Sequence, residues 1–100
     1  MNDEAKIFCE MILDISKNGK TSTKKIAKKL NMPLQKVIYH VRTFIEDGFF
    51  YRKKRFLYLR ENSLYETVLA VRKDVNRIFD NIERIVMEMD EALKFKNRNK

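Results

Sequence analysis

Gln35, Tyr39, Arg42 and Glu46 lie in a single stretch whose spacing gathers them on one side of a helix, flanked by Lys36 and Thr43, and Gln35, Lys36, Tyr39 and Arg42 are the candidates among them. The chemistry open to such a set is the reading of base edges. A glutamine amide donates and accepts as a pair, which matches adenine; lysine and arginine meet guanine or phosphate; tyrosine packs or hydrogen bonds. The major groove of B-DNA is about 12 Å wide and admits one helix, so a single exposed helical face suffices to hold them. Thr23, Lys24, Lys28 and Thr43, with the run Arg52-Lys53-Lys54-Arg55, suit the other role in such recognition. They would bind phosphates, which sets register and salt dependence but carries no direct sequence information.

Other chemistries lack their parts. No nucleophile, base and orienting acid stand together, there is no glycine-rich loop, and no carboxylate cluster points to a catalytic metal. The chain is therefore not expected to be an enzyme or to need a cofactor. One cysteine and one histidine cannot supply a typical zinc site from a single chain. Cys9 reads as a small buried apolar residue, with an intersubunit disulfide as the lesser alternative. His40, at the margin of an apolar stripe, reads as a partly buried, satisfied histidine, and the five methionines are scattered as core packing would scatter them. No apolar run approaches roughly 20 residues, and acids stand where a signal peptide carries bases, so the expectation is a cytoplasmic protein with no membrane partner.

The formal charge of +8 is unevenly placed. From Lys17 to Arg60, thirteen Lys or Arg stand against two acids, Glu46 and Asp47, a local net of +11; the first sixteen residues net −3, and Glu61 to Lys100 nets zero. Positive charge concentrated in this way is the footprint of a polyanion binder. No segment pairs it with a broad apolar face, which favours nucleic acid over a membrane surface.

The elements that hold these residues are legible in the apolar spacing. One hundred residues with 44% apolar and 36% charged content fit one domain with a modest core, and two glycines and one proline leave few turns, so the chain is expected to be mainly helical. Phe8, Met11, Ile12 and Ile15 form one stripe over Asp3 to Lys17, widened by Ile7, Cys9 and Leu13, and Asn18-Gly19 ends that helix. Ser22 caps a short second helix, with Ile26, Ala27 and Leu30 inside and Lys24, Lys25, Lys28 and Lys29 outside. Asn31 ends it, and Pro33 starts a third helix running to about Asp47 with Val37, Val41 and Phe44 inward. Gly48 closes the third helix, and Phe49 to Leu59 reads as a β-hairpin with a basic tip. No Asn-Gly or Asp-Gly marks its turn, so the loop is expected to exceed two residues.

Ser63-Leu64-Tyr65-Glu66 fits a capping box and opens a long helix. Leu64, Val68, Val71, Val75, Ile78, Ile82, Ile85, Met89 and Ala92 keep a 4-3-4-3 spacing over roughly four heptads, broadened by Tyr65, Phe79, Val86 and Leu93. From Leu64 to Phe95 such a helix spans roughly 48 Å, more than a small core can cover. Burying the stripe at roughly 1.5–3 kcal/mol for each large aliphatic side chain is a large gain, whereas leaving it in water invites aggregation. The seam from Leu64 to Met89 is therefore expected to pair with a second copy. β-Branched residues at both heptad positions do not favour a parallel two-stranded coil, which points to an antiparallel pair with the first helix alongside. Folding back onto the chain's own N-terminal part is the alternative. The expected organisation is residues 1–62 as a DNA-binding domain, 63–96 as a dimerisation helix and 97–100 as a basic, frayed tail.

Helix, basic helix, three-residue turn, amphipathic helix, charged hairpin and long helix is the order of a winged helix-turn-helix domain. Ser22 to Pro33, with the small Ala27 where two helices cross, resembles the first half of many bacterial and archaeal helix-turn-helix units. Val37-Ile38-Tyr39-His40-Val41-Arg42, followed by Glu46-Asp47-Gly48-Phe49-Phe50, is similar to the recognition helix and exit turn of ArsR-like regulators, and the similarity covers about residues 5–60. The resemblance implies a mainly α fold with a small β-hairpin, and a dimer whose third helix enters the major groove while the wing reaches an adjacent backbone or minor groove. Two positions depart from the pattern: Ile38 stands where a small hydroxyl residue is usual, and Pro33 replaces a serine cap. The cysteine pairs and histidine clusters of metal-sensing members are absent, which argues against metal sensing.

The expectation is a sequence-specific double-stranded-DNA-binding transcription regulator, a homodimeric repressor on a palindromic site. Its competitors are a nonspecific architectural nucleic-acid-binding protein driven by the basic segment, and a winged-helix protein-interaction module with the long helix as docking strip.

Overall fold

The computed structural model describes residues 1–93, so the expected basic tail at 97–100 and the final residues of the expected 63–96 helix lie outside the described residues. In chain order the elements are α1 (Asp3–Asn18), α2 (Thr23–Leu30), α3 (Leu34–Glu46), β1 (Phe50–Lys53), β2 (Phe56–Leu59) and α4 (Leu64–Leu93). This is a winged helix: three helices, a two-stranded antiparallel wing and a long C-terminal helix.

Side chains at the helix ends explain most of the boundaries. The Asn2 amide oxygen accepts from the Ala5 N–H at 2.8 Å, which satisfies a free donor at the start of α1. At the other end Gly19, at φ +82°, turns its N–H back to the Ile15 carbonyl at 2.7 Å. Ser22 Oγ accepts from the Lys25 N–H at 3.2 Å, and Asn31 takes the left-handed conformation (φ +53°) that stops α2. Pro33 was expected as the first residue of the third helix, but it sits one position before it. Its ψ of 138° is extended, while its carbonyl accepts from Lys36 and Val37 at 3.1 and 3.3 Å, so helical geometry begins at Leu34. The helix ends at Glu46, with Asp47 as cap and Gly48 at φ +90° in the exit turn.

The core is Ile7 and Met11 from α1, Ile26 and Ala27 from α2, Val37, Val41 and Phe44 from α3, Phe50 from β1 and Leu57 from β2. Phe8 lies at the rim of this set, with its ring edge-to-face against Phe44, Phe49 and Phe50 at 5.2, 5.6 and 5.5 Å. Such pairs prefer this geometry because a ring edge is positive and a face negative. The buried side of α1 is therefore Ile7, Met11 and Asp14, and Phe8, Ile12 and Ile15 are only half-buried. Cys9, expected to be buried, is exposed. It stands two residues from both Ile7 and Met11, about 200° around the helix and so on the side away from the core.

The wing pairs Phe50 with Leu59, Tyr51 with Tyr58, Arg52 with Leu57 and Lys53 with Phe56, which leaves a loop of two residues, Lys54 and Arg55. The longer loop expected from the missing Asn-Gly is not formed. Lys54 itself takes φ +59°, a left-handed conformation costing an ordinary side chain roughly 1–2 kcal/mol, and so does the work usually given to glycine. Thr21 adds a bridge on the other edge of β2, where its N–H and carbonyl meet the Leu57 backbone at 3.0 and 2.8 Å. This ties the loop before α2 to the wing.

The thirty residues of α4 extend about 45 Å. Ser63 Oγ accepts from the Glu66 N–H at 3.0 Å, the serine half of the expected capping box, and the buried Thr67 hydroxyl donates to the Ser63 carbonyl at 2.9 Å and accepts from the Glu61 N–H at 3.1 Å. Thr67 is the one buried residue of this helix. α4 does not fold back: Val75, Ile78, Ile82, Ile85 and Met89 are 43–54% exposed, and the molecule is 59 Å along its longest axis. Among the described residues no helix is long and apolar enough to cross a membrane.

Candidate nucleic-acid interface

Burying Val37, Val41 and Phe44 turns the other face of α3 to solvent, and Gln35, Lys36, Tyr39 and Arg42 are all exposed on it. Tyr39 is 65% exposed, its ring edge resting against the half-buried His40 at 5.2 Å between centroids. Thr43 is half-buried, and its hydroxyl donates to the Tyr39 carbonyl at a long 3.4 Å. The helix starts with no acid in its first turn and no side-chain cap, so the N–H groups of Leu34 and Gln35, ahead of those that bond to Pro33, remain available at the edge that carries Gln35 and Lys36.

Tertiary structure sorts the cations in a way that the charge count does not show. Acids of α1 reach across to α2 and α3: Asp3 pairs with Lys36, Glu10 with Lys29 at 3.4 Å, and Asp14 with Lys25 at 2.6 Å. Arg60 pairs with Asp74 at 2.7 Å. Four of the thirteen cations between Lys17 and Arg60 are thus engaged, which leaves nine without an ion pair among the described residues. Lys24, Lys28, Arg42 and the wing's Arg52, Lys53, Lys54 and Arg55 are in that group. Lys36, expected to reach bases, is held by Asp3, and the pair keeps the Asp3 carboxyl below its ordinary value through the hydrogen bond from Lys36.

The free cations are not scattered. Ser22, Thr23 and Lys24 at the start of α2 face Arg52, Arg55 and Phe56 of the wing across a shallow concavity of about 340 Å³. Two groups that are thirty residues apart in sequence, Thr23-Lys24 and Arg52-Arg55, meet there. Lys20 and Arg55 also lie over the Phe56 ring, 4.1 and 5.3 Å from its centroid. The first turn of α2 contains no acid. Backbone N–H groups at a helix start, two guanidinium groups and an ammonium make a surface suited to phosphate oxygens. Lys28 stands one turn further along α2, and Lys53 and Lys54 at the wing tip.

Asp14 is the residue that the sequence reading passed over. It is 7% exposed, and Asn18 Nδ2 and Lys25 Nζ each donate to its Oδ1 at 2.6 Å. Burial pushes its carboxyl up, but the hydrogen bonds from Lys25 and Asn18 more than offset this, and the net direction is down. The carboxylate thereby joins the end of α1 to α2, and it orients the helix that carries Lys24. A signal was present: Asp14 completes the i, i+4, i+7 series begun by Ile7 and Met11.

Residues 12–50 match the family model described as winged helix-turn-helix DNA-binding. The match runs from the second half of α1 through α2 and α3 to the first residue of β1, so this part of the chain is similar to winged helix-turn-helix DNA-binding domains. No curated protein and no solved structure matches the chain significantly.

Proposed function

We propose that this winged helix-turn-helix unit makes the chain a sequence-specific regulator of transcription, acting as a homodimeric repressor at a roughly palindromic double-stranded DNA site in the cytoplasm. The observation that carries the proposal is the union on one molecule of an exposed polar face on α3 with a cation-lined concavity between α2 and the wing. In this reading α3 lies in the major groove. Gln35 pairs with an adenine, Arg42 with a guanine or a phosphate, and Tyr39 packs on or bonds to a base edge. Lys36 contributes once DNA competes it away from Asp3. Thr23, Lys24, Arg52 and Arg55 hold phosphates from the concavity, while Lys28, Thr43, Lys53 and Lys54 extend the backbone contact to either side.

Pairing falls to α4. Leu64, Val68, Val71, Val75, Ile78, Ile82, Ile85 and Met89 make a continuous apolar seam, and most of it is 39–54% exposed in the single chain. Each large aliphatic side chain that a second copy covers contributes up to roughly 1.5–3 kcal/mol, less the part already hidden. β-Branched residues at both heptad positions favour the antiparallel arrangement, with α1 alongside. Two-fold symmetry in the protein then demands two-fold symmetry in the site. Repression by occupancy needs no further part.

The test is a gel shift with the site recovered from random duplex DNA. Gln35→Ala and Tyr39→Ala are each expected to weaken binding to that site by the roughly 1–3 kcal/mol of a base contact, about 5- to 150-fold, while binding to unrelated duplex stays unchanged. An equal loss on every sequence refutes base reading and leaves a nonspecific binder.

A further inference from the structure

Arg60 stands where the wing, the recognition helix and α4 meet. Its backbone N–H donates to the Phe49 carbonyl at 3.0 Å, which anchors it to the exit turn of α3. The guanidinium passes over Gly48 so closely that a Cβ there would lie 3.1 Å from Nη1. Nη1 then donates to Asp74 Oδ2 at 2.7 Å, and Nε lies 3.4 Å from Glu61. The other Asp74 oxygen accepts from Arg77 at 3.0 Å. Asp74 is ten residues past the start of α4, about 15 Å along its axis, and more than a turn beyond the buried Thr67.

Little else fixes the angle at which α4 leaves the winged unit. Past Thr67 an open groove separates the end of α3 from α4, with Glu46, Asp47 and Phe49 on one wall and Val71, Val75 and Ile78 on the other. A helix about 45 Å long acts as a lever, and a tilt of about 10° at its base moves the far end by roughly 8 Å. In a dimer joined along α4, the same tilt changes the distance between the two α3 helices. Half-sites one turn of DNA apart lie about 34–36 Å from centre to centre, so a few ångströms are enough to favour one spacing over the next.

We propose that the Arg60–Asp74–Arg77 bridge is a spacing ruler, holding α4 at a fixed angle to the winged unit and thereby setting the half-site separation that the protein accepts. Gly48 belongs to the device, because a side chain there would push the guanidinium off its path. The ruler rests on the dimeric, palindromic reading given above and adds to it the determinant of spacing. Arg60 and Asp74 touch no base in this scheme; they are positioning residues.

The experiment selects binding sites from a random duplex library with the full chain and, in parallel, with Asp74→Ala, and compares the spacing between inverted repeats in the two pools. Sedimentation of both proteins at the concentrations used accompanies it. The wild-type pool is expected to show one dominant spacing. The Asp74→Ala pool should contain the same half-site spread over several spacings, from a protein that still sediments as a dimer. An Asp74→Ala pool confined to the wild-type spacing overturns the ruler and leaves the dimeric reading intact, and so does a variant that sediments as a monomer, since its effect then belongs to pairing. A wild-type pool without inverted repeats overturns the dimeric reading and the ruler with it.

Discussion

Lys24 and Lys25 are neighbours in sequence with opposite surroundings, so replacing each by glutamine separates charge that serves binding from charge that serves folding. Lys24 lines the concavity with Arg52 and Arg55 and has no ion pair among the described residues, whereas Lys25 lies 2.6 Å from an Asp14 carboxylate whose side chain is 8% exposed. Each phosphate contact adds about 0.9 to the slope of log affinity against log salt, and a dimer carries each substitution twice. Lys24→Gln is therefore expected to flatten the slope by about 1.8, which shrinks the affinity change between about 50 and 200 mM salt by roughly twelvefold. Lys25→Gln should leave the slope unchanged and lower stability by about 1.5 kcal/mol, the low end for a charged hydrogen bond because the ammonium is half in water. Fluorescence anisotropy of a labelled duplex at four salt concentrations reads the first effect, and urea unfolding reads the second. Equal flattening by both substitutions, or by neither, refutes the division of the basic residues drawn from the structure.

Three further outcomes are expected. Leu57→Ala opens a cavity in a fully buried position on β2 beside the Thr21 bridge and should cost about 2–5 kcal/mol by urea unfolding, a large share of what a domain of this size has. The Asp14 carboxyl is held below its ordinary 3.8, so its stabilisation is complete above that value and fades as pH falls through the lower folded one. Asp14→Asn should accordingly lower the melting temperature at neutral pH and flatten its decline below about pH 4; a parallel decline in both proteins would contradict the pairing of this group. Ile82→Asp, in the middle of the exposed seam, should convert a dimer to a monomer in sedimentation while helix content by circular dichroism stays close to the wild type, and a variant that remains dimeric removes α4 as the pairing surface.

Legibility in the sequence followed the degree to which each element presents one clean face. In α2 and α3 the apolar residues are few and evenly spaced, so Ile26, Ala27, Val37, Val41 and Phe44 could be placed inside and Gln35, Tyr39 and Arg42 outside, as the structure has them. In α1 apolar residues occur at 7, 8, 9, 11, 12, 13 and 15, nearly all the way round, and spacing alone could not choose between the face of Ile7 and that of Phe8. That choice decided Cys9, which the structure exposes. The acid that marked the answer, Asp14, looks in sequence like an interruption and in the fold accepts from two side chains, Asn18 and Lys25.

Two other features depend on approach in space. The −3 of the first sixteen residues and the +11 of the middle read as separate tracts, yet Asp3, Glu10 and Asp14 neutralise Lys36, Lys29 and Lys25. The joining of Thr23-Lys24 to Arg52-Arg55 likewise follows from the Thr21–Leu57 bridge, which no local pattern announces. The wing's two-residue turn was missed because Lys54 adopts a conformation that propensity assigns to glycine or asparagine. The long helix α4 was legible, since a serine cap and a heptad spacing need only their own sequence, while its arm-like departure from the winged unit depends on Thr67 and the Arg60–Asp74 pair.

The most direct test of DNA recognition by α3 and the wing is the retention of duplex DNA by the purified chain, compared with a triple variant carrying Gln35→Ala, Tyr39→Ala and Arg42→Ala. The wild type should retain a selected duplex at physiological salt and prefer it over unrelated duplex by a factor on the order of 10³ or more, and the variant should lose that preference while keeping salt-sensitive binding to any duplex. Failure of the wild-type protein to retain double-stranded DNA even in dilute buffer would contradict the account at its root.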